Sequence, residues 1–220
     1  QAEIVKILDD YSTSVTALQQ ELEKELTARK KQYEYYRDEL LTFGDEVEWK
    51  TVEDISIKVV SGKNKEKSSI GTYPVYGSTG VIAYCKDYVY EKKQILIARV
   101  GANAGYVHIA NGQYDVSDNT IILELKDDIL FQYVYYTLLN MNLNQYAKGG
   151  GQPLVTAGQI KKIKIPVPPL SEQERIVKIL DRFDKLCNDI SEGLPAEIEA
   201  RQKQYEYYRD KLLTFIEKKD

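Results

Sequence analysis

Asp118 and the run Glu124-Leu125-Lys126 supply the residue types of an Asp…Glu-x-Lys metal site, the arrangement of a metal-dependent nuclease or nicking domain. A simpler account competes with it. Glu124 and Lys126 share the solvent face of an alternating strand, and a three-residue pattern of this kind recurs by chance. A methyltransferase would need a Gly-rich S-adenosylmethionine loop and an Asn or Asp before Pro-Pro, whereas Val167 precedes Pro168-Pro169. His108 is the single histidine, and Cys85 and Cys187 stand alone, which leaves no zinc signature and reads as two reduced thiols in a core. The chain is therefore expected to be non-catalytic, with no metal and no cofactor.

The elements that would position any such residues are framed by a repeat. Lys31-Gln32-Tyr33-Glu34-Tyr35-Tyr36-Arg37-Asp38 returns as Lys203 to Asp210, and the same offset of 172 places Ile4 to Asp9 on Ile176 to Asp181. A segment of some forty residues thus occurs at both ends of the chain, around one different middle. In the first copy Leu8, Tyr11, Val15, Leu18 and Leu22 keep heptad spacing; in the second the equivalent positions are Leu180, Phe183, Cys187, Ile190 and Leu194. These are the candidate helix-pairing residues. The first copy predicts one helix of roughly 40 residues, about 60 Å long. Gly193 and Pro195 predict a break in the second, and Ser171 with Glu174 has the form of a capping box opening it. Two long helices with apolar stripes, joined through one middle, are expected to pack antiparallel.

The middle reads as α+β and rich in β. Strands are expected at 73–76, 81–84, 94–100, 105–110, 114–117, 120–125 and 160–167, with a hairpin turn at Asn111-Gly112 and one helix over 128–146. Residues 45–170 carry 14 Lys and Arg against 13 Asp and Glu, while the ends carry 16 against 21, so the net charge of −4 belongs to the repeats. That balance lowers the expectation of a stand-alone, non-specific nucleic-acid binder. No apolar run approaches a membrane span and no secretory signal opens the chain, which places it by default in the cytoplasm.

Tyr73-Pro74-Val75-Tyr76-Gly77-Ser78, Ile97-Ala98-Arg99-Val100-Gly101 with Ser117-Asp118-Asn119, Gly151-Gln152-Pro153, and Ile165-Pro166-Val167-Pro168-Pro169-Leu170-Ser171-Glu172-Gln173 occur in this order together with the repeat. In that combination the chain resembles the specificity subunit of type I restriction-modification systems. The resemblance implies a helical conserved region over 1–44, a target-recognition domain over 45–168 and a second helical region over 169–220. The fold it implies is a β-rich recognition domain flanked by two long helices in an antiparallel coiled coil. It further implies that the recognition domain reads one half of a bipartite site in double-stranded DNA. The helices would set half-site spacing and dock methyltransferase subunits, two per intact subunit, with the restriction subunit joining through the complex. Gln1 falls inside the motif that Gln173 ends, so the chain is expected to be a piece of a longer subunit; pairing of such fragments into a homodimer is left open.

DNA contact requires cations for phosphates and a few side chains that reach base edges. Lys63, Asn64, Lys65 and Lys67 lie in one polar loop, Ser78, Arg99 and Asn103 near Gly-rich turns, and Lys148 and Gln152 flank Gly149-Gly150-Gly151. These loops, taken as a group, are the candidate DNA-binding surface.

Overall fold

The computed structural model of the protein describes residues 2–65, 68–149, 151–189 and 192–214. Two compact units result, one from the residues up to Glu39 together with those from Lys178 onward, the other from Leu40–Val177. Among the described residues no helix is long and apolar enough to cross a membrane.

In the first unit α1 runs unbroken through Ala2–Leu40. The second copy is two helices, α4 (Leu170–Asn188) and α5 (Leu194–Leu213), interrupted where expected. Gly193 caps α5 with a proline in its first turn, and a Cβ at Gly193 would come within 2.6 Å of the Asp189 carbonyl and 2.7 Å of that of Lys185. Only glycine lets the chain cross the carbonyl-lined end of α4 so closely.

The helices are antiparallel, and their pairing is reciprocal. Tyr11 meets Tyr205 at 6.0 Å and Tyr208 at 5.9 Å between ring centres, while Phe183, the counterpart of Tyr11, meets Tyr33 at 6.3 Å and Tyr36 at 5.6 Å. Between these clamps Gln19 Nε2 donates to Gln202 Oε1 over 2.7 Å. The heptad half of each copy therefore packs on the tyrosine half of the other, not on its own equivalent. Smaller interactions repeat too: Arg29 pairs with Glu25 and Arg201 with Glu197, and Arg37 and Arg209 lie over Tyr33 and Tyr205. Leu22, Leu180, Cys187 and Leu194 are buried; Leu8, Tyr11, Val15 and Phe183 are half-buried. Leu18 remains 40% exposed, and Ile190 lies outside the described residues. The Ser171–Glu174 capping box is corrected: α4 starts at Leu170, with the N–H groups of Glu172 and Gln173 both bonded to the Pro169 carbonyl, so Ser171 is already inside the helix.

The second unit is built on three sheets. β1 (Glu48–Thr51) pairs with β9 (Lys164–Val167). A four-stranded antiparallel sheet has the order β2-β8-β5-β6, formed by Ser56–Ser61, Thr120–Leu125, Gln94–Ala98 and Val107–Ala110. A third has the order β4-β3-β7, from Gly80–Cys85, Tyr73–Gly77 and Asp115–Val116, with β3 and β7 parallel. The central strands β5 and β8 are buried on both faces from Ile95 to Ala98 and Thr120 to Leu123, as their continuous apolar runs require. Leu96, Ala110, Tyr114, Val116 and Ile122 form a core cluster with Tyr76 and Tyr90 against it. Tyr133, Val134, Tyr136 and Leu138 of α2 (Phe131–Asn140) are buried, and the Tyr133 hydroxyl donates to the Pro166 carbonyl over 3.1 Å.

Three local expectations change. The helix over 128–146 is α2 followed by a 3-10 turn, because Asn142 adopts a left-handed φ of 51° that ends the helical run. Asn111-Gly112 turns the chain, but β6 pairs with β5 and β7 with β3, so no hairpin forms across it. The expected strand over 160–167 begins as α3 (Ala157–Lys161), nucleated by a capping box between Thr156 and Gln159, and only Lys164–Val167 is extended.

If the two clamps are equivalent, Phe183→Tyr should shift stability by less than about 1 kcal/mol, since a tyrosine already serves at Tyr11. Phe183→Ala should cost about 2 to 3 kcal/mol. Urea denaturation followed by helical circular dichroism reads both; an equal loss in the two variants would refute the equivalence.

Candidate nucleic-acid interface

Four stretches of the second unit meet at one turn, Ser117-Asp118-Asn119, between β7 and β8, and a fifth joins them through Arg99. The Ser117 N–H bonds the Tyr76 carbonyl at 2.8 Å, tying the turn to β3. The loop after β2 is tied by Lys63 N and Asn64 N, which donate to the Val116 carbonyl at 3.1 and 3.0 Å, and by the Asn64 carbonyl, which accepts from Asp118 N at 3.2 Å. Asn64 Nδ2 also donates to Asp115 Oδ2 at 2.6 Å. This close approach needs Gly62, where any Cβ would sit 2.3 Å from the carbonyl oxygens of Val116 and Ser117.

The β3–β4 turn arrives through Ser78, whose hydroxyl donates to the Asn119 carbonyl at 3.3 Å. Arg99, just past β5, uses its backbone N–H on the same carbonyl at 2.9 Å and its Nη1 on the Asp118 carbonyl at 3.2 Å. The Arg99 carbonyl in turn accepts from Val155 N at 2.8 Å, Gly101 N donates to the Pro153 carbonyl at 3.0 Å, and Leu154 exchanges two backbone bonds with Lys148. Lys63, Asn64, Lys65, Ser78, Arg99, Asn103, Lys148 and Gln152 therefore lie on loops fixed to a common turn at one end of the unit. Lys63, Lys65, Asn103, Lys148 and Gln152 are exposed, and Asn64, Ser78 and Arg99 half-buried. Lys67 and Gly150 lie outside the described residues. Arg99 serves the fold as well as the surface: its guanidinium braces the turn through the Asp118 backbone.

The nuclease arrangement is not supported. Glu124 is held by Lys92 Nζ at 3.0 Å and by Gln94 Nε2 at 3.4 Å, and Lys126 Nζ donates to the Asp54 carbonyl at 2.5 Å. Four residues of extended β8, roughly 13 Å, separate Glu124 from Thr120 beside the Asp118 turn. Among the described residues no group of three His, Cys, Asp or Glu side chains could hold a metal.

Two residues of this end escaped sequence reasoning. Asn119 is exposed on the turn that gathers the loops; a Ser-Asp-Asn run at a strand end was its only signal. Tyr106, 55% exposed, follows Gly105 where the Arg99 loop returns to β6, its N–H bonded to the Asn103 carbonyl and its carbonyl to Ala98 N, both at 2.8 Å. Beneath it His108 lies between Tyr106 and Tyr76, with ring centres at 5.7 and 6.1 Å. Neither His108 ring nitrogen has a partner among the described residues, and burial pushes its pKa down to about 4.

A compact β domain that gathers polar and basic loops at one end, in a chain that also carries a duplicated helical segment, has the form of a nucleic-acid specificity domain. Residues 45–200 match the family described as the type I restriction modification DNA specificity domain. The chain is 37% identical to the specificity subunit of the type I restriction enzyme EcoR124I/EcoR124II of Escherichia coli, over 98% of this chain and 59% of that one. It is 39% identical to that of the Escherichia coli EcoprrI enzyme, over 87% and 50%, and 32% identical to a putative type I specificity subunit of Mycoplasma pneumoniae, over 99% and 93%. The fold resembles the HsdS subunit from Thermoanaerobacter tengcongensis, with a TM-score of 0.70 at 16% identity, covering 97% of this chain and 56% of that one. The chain belongs to the type I DNA specificity family, and it spans about half the length of the two Escherichia coli relatives, 59% of one and 50% of the other.

One component of the pH dependence of stability follows from His108. The unfolded chain takes up this proton near pH 6.5 but the folded chain only near 4, so the unfolded state binds more protons between these values and stability falls as pH drops through the window. His108→Phe should remove that component. Denaturation midpoints at pH 7 and pH 5 should therefore converge more closely in the variant than in the wild type; an unchanged gap would contradict the buried, neutral imidazole.

Proposed function

We propose that the chain is a DNA-specificity fragment whose residues 45–168 act as a target-recognition domain for one half of a bipartite site in double-stranded DNA. The observation that carries this is the gathering of the Lys63, Ser78, Arg99 and Lys148 loops on the Ser117-Asp118-Asn119 turn. Separate loops fixed to one rigid point can present cations to phosphates and amides or hydroxyls to base edges in constant register. The helical regions, residues 1–44 and 169–220, set the distance between half-sites and dock two methyltransferase subunits, through which the restriction subunit is recruited. A homodimer of the fragment would bring two reading domains into one assembly.

Docking draws support from the exposed side of the repeat. Tyr35 and Tyr207 are 63% and 60% exposed, and each stands edge-to-face on its neighbour, at 5.5 Å from Tyr36 and 5.2 Å from Tyr208. The heptad half of the seam has drifted between the copies, Tyr11 to Phe183 and Val15 to Cys187, yet the exposed Tyr35 and Tyr207 are identical. Packing alone would retain the seam and release the surface. An external partner that contacts both copies in the same way would retain the surface.

Exchanging residues 45–168 for the corresponding domain of another specificity subunit, within an intact subunit, should change one half of the methylated sequence and leave the other half and the spacing intact; sequencing of methylated sites reads this, and an unaltered site would overturn the assignment. Changing Tyr35 and Tyr207 together to Ala should weaken methyltransferase binding at least about tenfold, as for loss of aromatic anchors at an interface. Isothermal titration would show it, and undiminished affinity would remove the docking role.

A further inference from the structure

Tyr106 is the outer end of a row of rings that runs from the loop surface into the core. Its ring stacks on His108 at an interplanar angle of 23°, and His108 stacks on Tyr76 at 28°. Tyr76 stands edge-on to Tyr114 at 5.4 Å, and Tyr114 stacks on Tyr90 at 5.7 Å. The inner members are pinned: the Tyr114 hydroxyl bonds the Lys92 carbonyl and Gln94 Oε1, each at 2.8 Å, and the Tyr76 carbonyl is the one that anchors Ser117. The row is thus joined directly to the turn that positions the loops.

Single exposed apolar side chains are ordinary on protein surfaces. Tyr106 differs in having its ring order set before any ligand arrives. An imidazole stacks against one side of the ring, the backbone is bonded on both sides, and only two side-chain torsions remain to be fixed, so contact through the exposed side costs little further entropy. The neighbour beneath is uncharged at neutral pH, and the ring itself carries no cation for a phosphate. What this position offers the half-site is a rigid apolar surface beside Asn103 and Arg99. In the grooves of duplex DNA the group matched to such a surface is the 5-methyl of thymine.

We infer that Tyr106 is a specificity-determining residue whose ring makes an apolar contact with a thymine methyl group in the half-site read by this domain. The inference rests on the reading given under Proposed function. It assigns to Tyr106 the discrimination of one base pair, while the lysines of the neighbouring loops supply sequence-independent affinity.

The test uses the intact specificity subunit in complex with its methyltransferase subunits. Methylated sites are mapped for the wild type, Y106A and Y106F, with thermal midpoints measured alongside. Y106F should retain the wild-type site, and Y106A should accept other base pairs at one position of one half-site, with discrimination there falling about fivefold or more. Replacing thymine by uracil at that position deletes only the methyl group; it should slow methylation by the wild type and leave Y106A unaffected. An unchanged site in a folded Y106A complex, a uniform loss over all positions, or a Y106F defect equal to that of Y106A would overturn the inference. If exchange of residues 45–168 alters no half-site, the reading of the whole domain fails. If that exchange alters a half-site and Y106A relaxes none of its positions, Tyr106 alone is wrongly assigned.

Discussion

The backbone of Ser117-Asp118-Asn119 is the constraint on which the candidate interface depends. Its carbonyls and N–H groups receive β3, the loop after β2, the β3–β4 turn and the Arg99 loop, and Arg99 relays the connection to the segment around Leu154. Most of these bonds are between backbone groups, so they fix where the loops stand without dictating which side chains the loops carry. A domain built in this way can vary its surface residues widely while holding their positions. Gly62 is an exception, because the approach of the chain to Val116 leaves no room for a side chain there.

The helical unit follows a different logic, in which geometry is repeated and sequence is exchanged. The clamp of Tyr11 between Tyr205 and Tyr208 is matched by that of Phe183 between Tyr33 and Tyr36. Each copy of the repeat thus supplies the single ring of one clamp and the tyrosine pair of the other. An unbroken α1 and a second copy split at Gly193 can satisfy the same contacts because the clamps lie away from the break on both sides.

How far this could be read from residues alone depended on the range of the interactions. The repeat, the 40-residue helix and the break at Gly193 and Pro195 are local or periodic signals, and the structure bears them out. The strands with continuous apolar runs, β5 and β8, were equally plain. The parallel pairing of β3 with β7 was not, since it joins segments far apart through backbone bonds that no side chain announces. Ile160, Ile163 and Ile165 suggested one strand, but the cap made by Thr156 and Gln159 turned its first part into α3. Basic and amide residues on Gly-rich loops were visible as a set, whereas the turn that unites them was legible only as a loop. Tyr106 looked like one more strand residue, since its significance lies in the rings stacked beneath it.

Reciprocal pairing of the two ends also bears on the order in which the molecule can assemble as it is synthesised. The rings that Tyr11 needs, on Tyr205 and Tyr208, are translated only after the whole intervening domain. α1 must therefore leave the ribosome as an amphipathic helix with its seam uncovered and wait for α4 and α5. The β-rich unit, Leu40–Val177, is complete earlier. Pairing of the two ends is a non-local contact of the kind that forms slowly, and while it is pending the exposed seam is open to capture by another molecule in the same state.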